Sequence, residues 1–226
     1  MNILAVECSG KVAGVAVTKE DFIACEIYLD GQLTHSQVFM PMVEECLERA
    51  NLEFGDIDVI ACNVGPGSFT GVRIGCSTAN ALHMATGAKL VSVDALEALV
   101  YNLLDFDGWV VPMLDARADR LYAGIYKHGQ SIMTPQACNV EGLIAALPKE
   151  GSILLLGEGA ELHFKTMLEA LASRVSLAPI HLRRHRPGAL AALAMEKQVA
   201  GKTVDRCLPI YLRPSQAEQE REKKVR

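Results

Sequence analysis

The residues whose types and spacing suit chemistry best are Val64-Gly65-Pro66-Gly67-Ser68-Phe69-Thr70-Gly71-Val72-Arg73-Ile74-Gly75, which follow the apolar run Asp58-Val59-Ile60-Ala61-Cys62 and lead into a small-residue stretch ending near Gly87. A glycine-rich turn that opens a helix attracts anions, because the first N–H groups of a helix have no intrahelical partner. The spacing departs from both common phosphate loops. Three residues separate Gly67 from Gly71 and Val72-Arg73 follows, so the four-residue gap and Lys-Ser/Thr of a P-loop are missing; Thr70 stands where a dinucleotide fingerprint needs glycine. Ser68 directly follows Gly67, which is not the Gly-x-Ser-x-Gly setting of a nucleophilic serine. Two readings stay open: a structural strand-to-helix elbow made of Gly65, Pro66, Gly67, Ser68, Phe69, Thr70 and Gly71, or an anion or nucleotide site.

Other reactive residue types are scattered. The seven cysteines (Cys8, Cys25, Cys46, Cys62, Cys76, Cys138, Cys207) form no Cys-x-x-Cys and are odd in number, which fits neither a disulfide framework nor a zinc knuckle and points to a reducing compartment. His181 and His185 have the spacing of a metal pair, yet they lie between Pro179 and Pro187 with arginines between them and no carboxylate beside them, so no metal site is expected. The net charge of −5 argues against a chain that grips nucleic acid by itself, since phosphate neutralisation supplies most non-specific affinity. The run His181 to Arg186 and the C-terminal tail are the basic segments left to contribute locally.

The elements that must position these residues follow from the pattern. Ile3 to Val6, Val12 to Val17 and Phe22 to Leu29 read as three strands of an antiparallel meander, with Glu7 at the end of the first. Residues 35–50 carry apolar side chains at helical spacing, with Pro41 implying a late start or a kink. In the helix after the elbow, Gly71, Gly75 and Ala79 recur every four residues, a flat row that suits packing on its own sheet or close approach by another helix. A strand at Lys89 to Val93 leads to a helix capped by Asp94. The plan then restarts with strands at Trp109 to Leu114 and Leu121 to Tyr126 around Asp115-Ala116-Arg117, a helix at 140–147, a strand at Ile153 to Leu156, and helices at 161–172 and 187–200. Gly157 and Gly159 follow a strand but lack the third glycine of a dinucleotide loop. Half the residues are hydrophobic and 22% charged, a globular composition; no apolar run approaches the roughly 18 residues of a membrane span, and the N-terminus lacks the basic segment of a signal peptide. A cytoplasmic protein is expected. The tail 215–226 has almost no apolar content and reads as a mobile charged end.

The sequence GPGSFTGVRIG at Gly65 to Gly75, with Ile3-Leu4-Ala5-Val6-Glu7-Cys8-Ser9 at the start and Pro209-Ile210-Tyr211-Leu212-Arg213 near the end, resembles the bacterial TsaB (YeaZ) family over nearly all of residues 1–214. The resemblance implies an α/β fold of two actin-like (ASKHA, ribonuclease H-like) lobes, each a mixed β-sheet with flanking helices, divided here as residues 1–105 and 106–214. It implies a non-catalytic assembly subunit of the complex that transfers a threonylcarbamoyl group to the adenosine 3′ of the anticodon in ANN-decoding tRNAs. The implied partners are the catalytic actin-like paralogue TsaD, a P-loop ATPase (TsaE), a second copy through the same helices, and tRNA only indirectly. ATP and metal would belong to those partners, with no cofactor on this chain. In the catalytic relative a His-x-x-x-His pair follows the strand matched by Lys89 to Val93; Ala95 and Leu99 stand there and ligate nothing. Partner contacts are expected from Val38, Phe39, Met42, Val43 and Cys46 on the first helix and from Gly71, Arg73, Gly75, Ala79 and Leu82 on the second. Glu7, Ser9, Asp115 and Arg117 match the places of a vestigial nucleotide site. A rival reading, a stand-alone ATPase or kinase of the same superfamily, needs Glu7 and Asp115 to hold magnesium. A peptidase is disfavoured, because no metal pair or nucleophile–base set is visible.

Overall fold

The computed structural model describes residues 1–31 and 35–213. The tail 215–226, expected to be mobile, lies outside the described residues. The chain forms two five-stranded sheets built on one plan. In the first, β1 (Ile3–Glu7), β2 (Val12–Lys19) and β3 (Phe22–Asp30) make the expected antiparallel meander. Helix α1 (His35–Arg49) then leads to β4 (Val59–Asn63), and α2 (Phe69–Thr86) to β5 (Lys89–Val93), both strands parallel to β1. The strand order is β3-β2-β1-β4-β5. Helix α3 (Ala95–Val100) follows, capped by Asp94, whose side chain accepts from the N–H groups of Leu96 and Glu97.

The second sheet repeats this order. Strands β6 (Trp109–Asp115), β7 (Leu121–Lys127) and β8 (Gln130–Cys138) form the meander; α4 (Val140–Ala146), β9 (Ile153–Leu156), α5 (Glu158–Leu171) and β10 (Val175–Leu177) complete the lobe, with order β10-β9-β6-β7-β8. Two of these strands carry little sequence signal. β8 is largely polar and contains Pro135, which a sheet tolerates at its edge, and β10 has three residues. Helix α6 (Pro187–Val199) ends the regular structure, opening on Pro187 as expected.

The central strands, such as β1, β4 and β9, read as unbroken apolar runs because both of their faces are covered. Leu4 and Val6 point to α1 and α2, in a core with Phe39, Val43, Val72 and Ala79, while Ile3 and Ala5 point to α6 at Leu190, Ala191 and Ala194. In the second sheet Val111 and Met113 face α4 and α5, and Val110 and Leu114 face α3 at Leu96 and Leu99. The helices following β5 and β10 are thus exchanged: α3 packs on the second sheet and α6 on the first. A single division at 105/106 does not describe this molecule, because α6 and the segment after it complete the first lobe. That segment runs back over the lobe, with Val204 bridging Leu90 and Cys207 buried in the first core. Helix α1 begins at His35 and continues through Pro41, which lies on its exposed side, so the late start expected from Pro41 is not adopted.

Candidate functional site

The glycines of the elbow meet protein backbone. A Cβ on Gly67 would lie 2.0 Å from the carbonyl oxygen of Ser9, and one on Gly71 would lie 2.0 Å from that of Cys8. Helix α2 can therefore approach the turn after β1 only where it lacks side chains. The N–H of Ser68 donates to Ser9 O (2.6 Å), and Ser68 Oγ caps the helix by accepting from Gly71 N at 3.2 Å. Gly65 has φ +96°, and the Gly65–Pro66 bond is cis. The elbow is tied further by Val64 N to Val93 O (3.0 Å), Ala95 N to Gly65 O (2.9 Å) and Ile210 N to Val64 O (2.8 Å). Of the two open readings, this geometry favours the structural elbow: the N–H groups of Ser68 and Gly71, which could greet a phosphate, are occupied by Ser9 O and Ser68 Oγ.

Glu7 and Ser9 are fully buried beneath it. Glu7 Oε1 accepts from Ser9 N (2.7 Å) and Ser9 Oγ (2.6 Å), and Oε2 accepts from Asn63 Nδ2. Asn63 Oδ1 in turn accepts from Gly65 N at 3.0 Å, so one polar network joins the end of β1, the end of β4 and the elbow. Asn63 was not among the sequence candidates; its signal is a lone amide closing the apolar strand Val59 to Cys62. The same turn meets the other lobe, where a Cβ on Gly10 would sit 3.3 Å from His185 Nδ1. His185 is itself buried, with Nε2 3.1 Å from Ala95 O. Asp115 is exposed and accepts from Arg117 N at 2.8 Å, a turn with Arg117, Ala118 and Asp119 all in the left-handed region. Glu7 and Asp115 are thus in unlike settings, one enclosed by three donors and one facing solvent. A nucleotide with its magnesium does not fit these residues. The second elbow repeats the first: Gly157 (φ +92°) and Gly159 press on the backbone of Met113 and Leu114.

The basic run is engaged within the chain. Arg184 joins Asp30 of β3 (2.9 Å) to Glu161 of α5 (2.7 Å), and Arg186 pairs with Glu26 and lies over the Tyr28 ring. Arg183 Nε donates to Ala178 O at 2.6 Å. Among the described residues no group of three His, Cys, Asp or Glu side chains is arranged to hold a metal ion, and no helix is long and apolar enough to cross a membrane.

The expected partner contacts need correction. Phe39, Met42, Val43, Cys46, Gly71, Gly75 and Ala79 are buried in this chain's own core and fasten α1 and α2 to the sheet. The flat row faces inward because close contact with β1 demands it: a Cβ on Gly75 would touch Cys8 Cβ at 3.4 Å. Val38 and Leu82 are half-buried, and Arg73 is exposed. The outward row of α2 is Thr70, Arg73, Ser77, Ala81 and Met84, the last 84% exposed. Arg73 stacks on Phe69 (3.8 Å to the ring centroid) and donates to Tyr211 Oη at 2.7 Å, while the two rings lie 4.7 Å apart. Leu208 and Ile210 add exposed apolar surface beside this cluster. The sequence offered Phe69 and Tyr211 only as motif residues; their meeting, from the central and the C-terminal motif, is tertiary.

Duplicated sheets, exchanged closing helices and two glycine elbows define a member of the actin-like superfamily. A family model described as TsaD, tRNA N6-adenosine threonylcarbamoyltransferase, matches residues 31–213. The tRNA threonylcarbamoyladenosine biosynthesis protein TsaB of Bacillus subtilis is 30% identical over 96% of both chains. The solved structure of YeaZ from Pseudomonas aeruginosa superposes with a TM-score of 0.77 at 26% identity, covering 93% of this chain and 99% of that one. A tRNA N6-adenosine threonylcarbamoyltransferase of Erythrobacter litoralis is 37% identical, but over 31% of this chain and 21% of its own length. The chain belongs to the TsaB family.

Proposed function

We propose that this chain is the non-catalytic subunit of the machinery that places the threonylcarbamoyl group on the adenosine 3′ of the anticodon in ANN-decoding tRNAs, and that it acts by docking on the threonylcarbamoyltransferase paralogue, TsaD. The observation that carries this reading is the closed elbow: helix α2 presents its glycines to Cys8 and Ser9 and its capped N-terminus to Ser9, where an actin-like enzyme would hold phosphate. The docking face is the outward row of α2, the exposed side of α1 and the Phe69–Arg73–Tyr211 cluster, a mix of aromatic, arginine and methionine side chains of the kind enriched at interfaces. The same face pairs copies of this chain when the paralogue is absent. A P-loop ATPase, TsaE, joins the two, and ATP and metal stay on the partners. With a net charge of −5, this subunit contacts tRNA through the complex. The test is reconstitution: tRNA modification is measured with the chain alone, with the paralogue and ATPase alone, and with all three, after supply of the threonylcarbamoyl donor. Modification is expected only in the full mixture. Turnover by this chain unaided, or full activity without it, overturns the reading.

A further inference from the structure

The C-terminal half of α1 borders a groove of about 490 Å³, walled by Glu44, Leu47 and Glu48 of the helix and by Leu52, Phe54 and Gly55 of the segment that follows it. Its floor is apolar and fixed. Leu47 is buried in the first core, and Leu52 and Phe54 pack against that core while staying half-buried. Its rim is acidic, because Glu44, Glu48 and Glu53 are all exposed around it. The bases at this end of the helix are engaged elsewhere: Arg49 pairs with Glu45 at 2.8 Å, and Lys19 Nζ donates to Ala50 O at 3.0 Å. Glu44 and Glu48, one helical turn apart, enter no ion pair or side-chain hydrogen bond among the described residues. The C-terminal end of α1 lies at the same place and adds the negative pole of the helix.

We propose that this groove is where the transferase paralogue is recognised, by seating a bulky apolar side chain that the paralogue presents between lysines or arginines. This rests on the docking reading above, in which the exposed side of α1 belongs to the docking face. Charge complementarity selects the occupant. An apolar side chain alone would cover the floor but strip water from Glu44 and Glu48 without replacing it, and a buried charge left unpaired is costly. A small cation such as a polyamine would answer the rim and leave Leu47, Leu52 and Phe54 in water. No group of three His, Cys, Asp or Glu side chains is arranged for a metal ion among the described residues, so a bare metal does not suit it either. A polypeptide segment with a basic flank satisfies floor and rim together. Apolar anchors set in a pocket supply most of an interface's affinity, and complementary charge on its rim supplies selectivity and a fast encounter.

Gly55 offers a way to test the floor separately from the rim. A Cβ there would meet nothing within 4 Å, and its backbone lies outside the left-handed region, so a large side chain can occupy the mouth of the groove without strain.

The experiment titrates the full-length chain with the paralogue by calorimetry at two salt concentrations, with thermal melting to show that each variant is folded. The double variant Glu44→Gln/Glu48→Gln should bind about tenfold more weakly than wild type at about 50 mM salt, and the difference should shrink at about 500 mM, where exposed charges are screened. Gly55→Phe should weaken binding about tenfold at both concentrations, because it fills the seat and leaves every charge in place. Glu141→Gln/Glu169→Gln, which removes the same charge from exposed positions on α4 and α5, should bind as wild type does. Wild-type affinity in either groove variant overturns the groove as the recognition element and leaves docking intact. Failure of the wild type to bind the paralogue overturns both. Groove variants that weaken only the pairing of this chain with itself make a second copy the occupant and overturn the proposal.

Discussion

A carboxylate sealed from water must be matched by donors, and at Glu7 the donors are Ser9 N, Ser9 Oγ and Asn63 Nδ2. Glu7→Ala would strand three polar groups in a site with no exposure, a loss of about 3–5 kcal/mol if it behaves as other broken buried charged networks do. A urea titration measures this directly; an alanine variant of unchanged stability would return Glu7 to the pool of ligand-binding residues. Asp94 is the second test at this scale. Burial raises its carboxyl above the usual range, outweighing the two N–H groups it caps. The folded state therefore binds this proton more tightly than the unfolded state, and the stability it confers is present below a pH of about 3.9 and lost as pH rises through the raised value. Asp94→Asn keeps the cap and does not titrate. The stability of the wild type relative to Asp94→Asn should accordingly fall as pH rises from the acid side, as read by urea unfolding at several pH values; a difference that rises instead would overturn the assignment. The sequence exposed Glu7 as a strand-end acid and Asp94 as a cap, because both are local patterns. It did not expose Asn63 or His185, whose roles depend on strands and lobes brought together from 56 and 90 residues away.

At the scale of the element, helix α2 shows what periodicity can and cannot decide. Its small row and its end near Gly87, which takes φ +75°, were plain in the sequence, whereas the capping role of Ser68 emerged only in the structure. The row's direction was not, since small residues serve a sheet and a partner helix equally. Burial settles the direction: Ala79 has no exposed surface, whereas Ala81 faces out. Ala79→Arg should therefore unfold or strongly destabilise the chain by forcing an unpaired charge into the core. Ala81→Arg should change stability by no more than about 0.5 kcal/mol, as surface substitutions do, yet weaken association with the transferase paralogue by about tenfold or more if α2 docks through its outer row. Thermal melting of both variants and a binding titration of the second distinguish the outcomes. Unchanged affinity in Ala81→Arg would move the docking face elsewhere on the chain.

For the whole molecule, the exchanged helices matter more than any local motif. Most strands were readable from the sequence as apolar runs, but an unbroken apolar strand announces only that both faces are covered, not which helix covers them. Nothing in the sequence of α6 says that it belongs to β1, β4 and β5. The ties between closing helices, Tyr101 Oη to Glu196 (2.7 Å) and Lys197 Nζ to Glu97 (2.7 Å), join residues 95 and 100 positions apart. One consequence separates this architecture from two lobes that fold alone. A fragment of residues 1–105 would expose Ile3, Ala5, Ala16, Val59, Ala61, Val91 and Val93, the face that α6 covers with Leu190, Ala191 and Ala194. Burial of such surface contributes about 25 cal/mol per Å², a loss that a domain with the usual margin of about 5–15 kcal/mol cannot absorb. The fragment should therefore show no cooperative unfolding by circular dichroism. Adding a second fragment that begins at residue 106 and contains α6 and the segment after it should restore it. A cooperative transition in 1–105 by itself would mean that α6 merely rests on a lobe already complete.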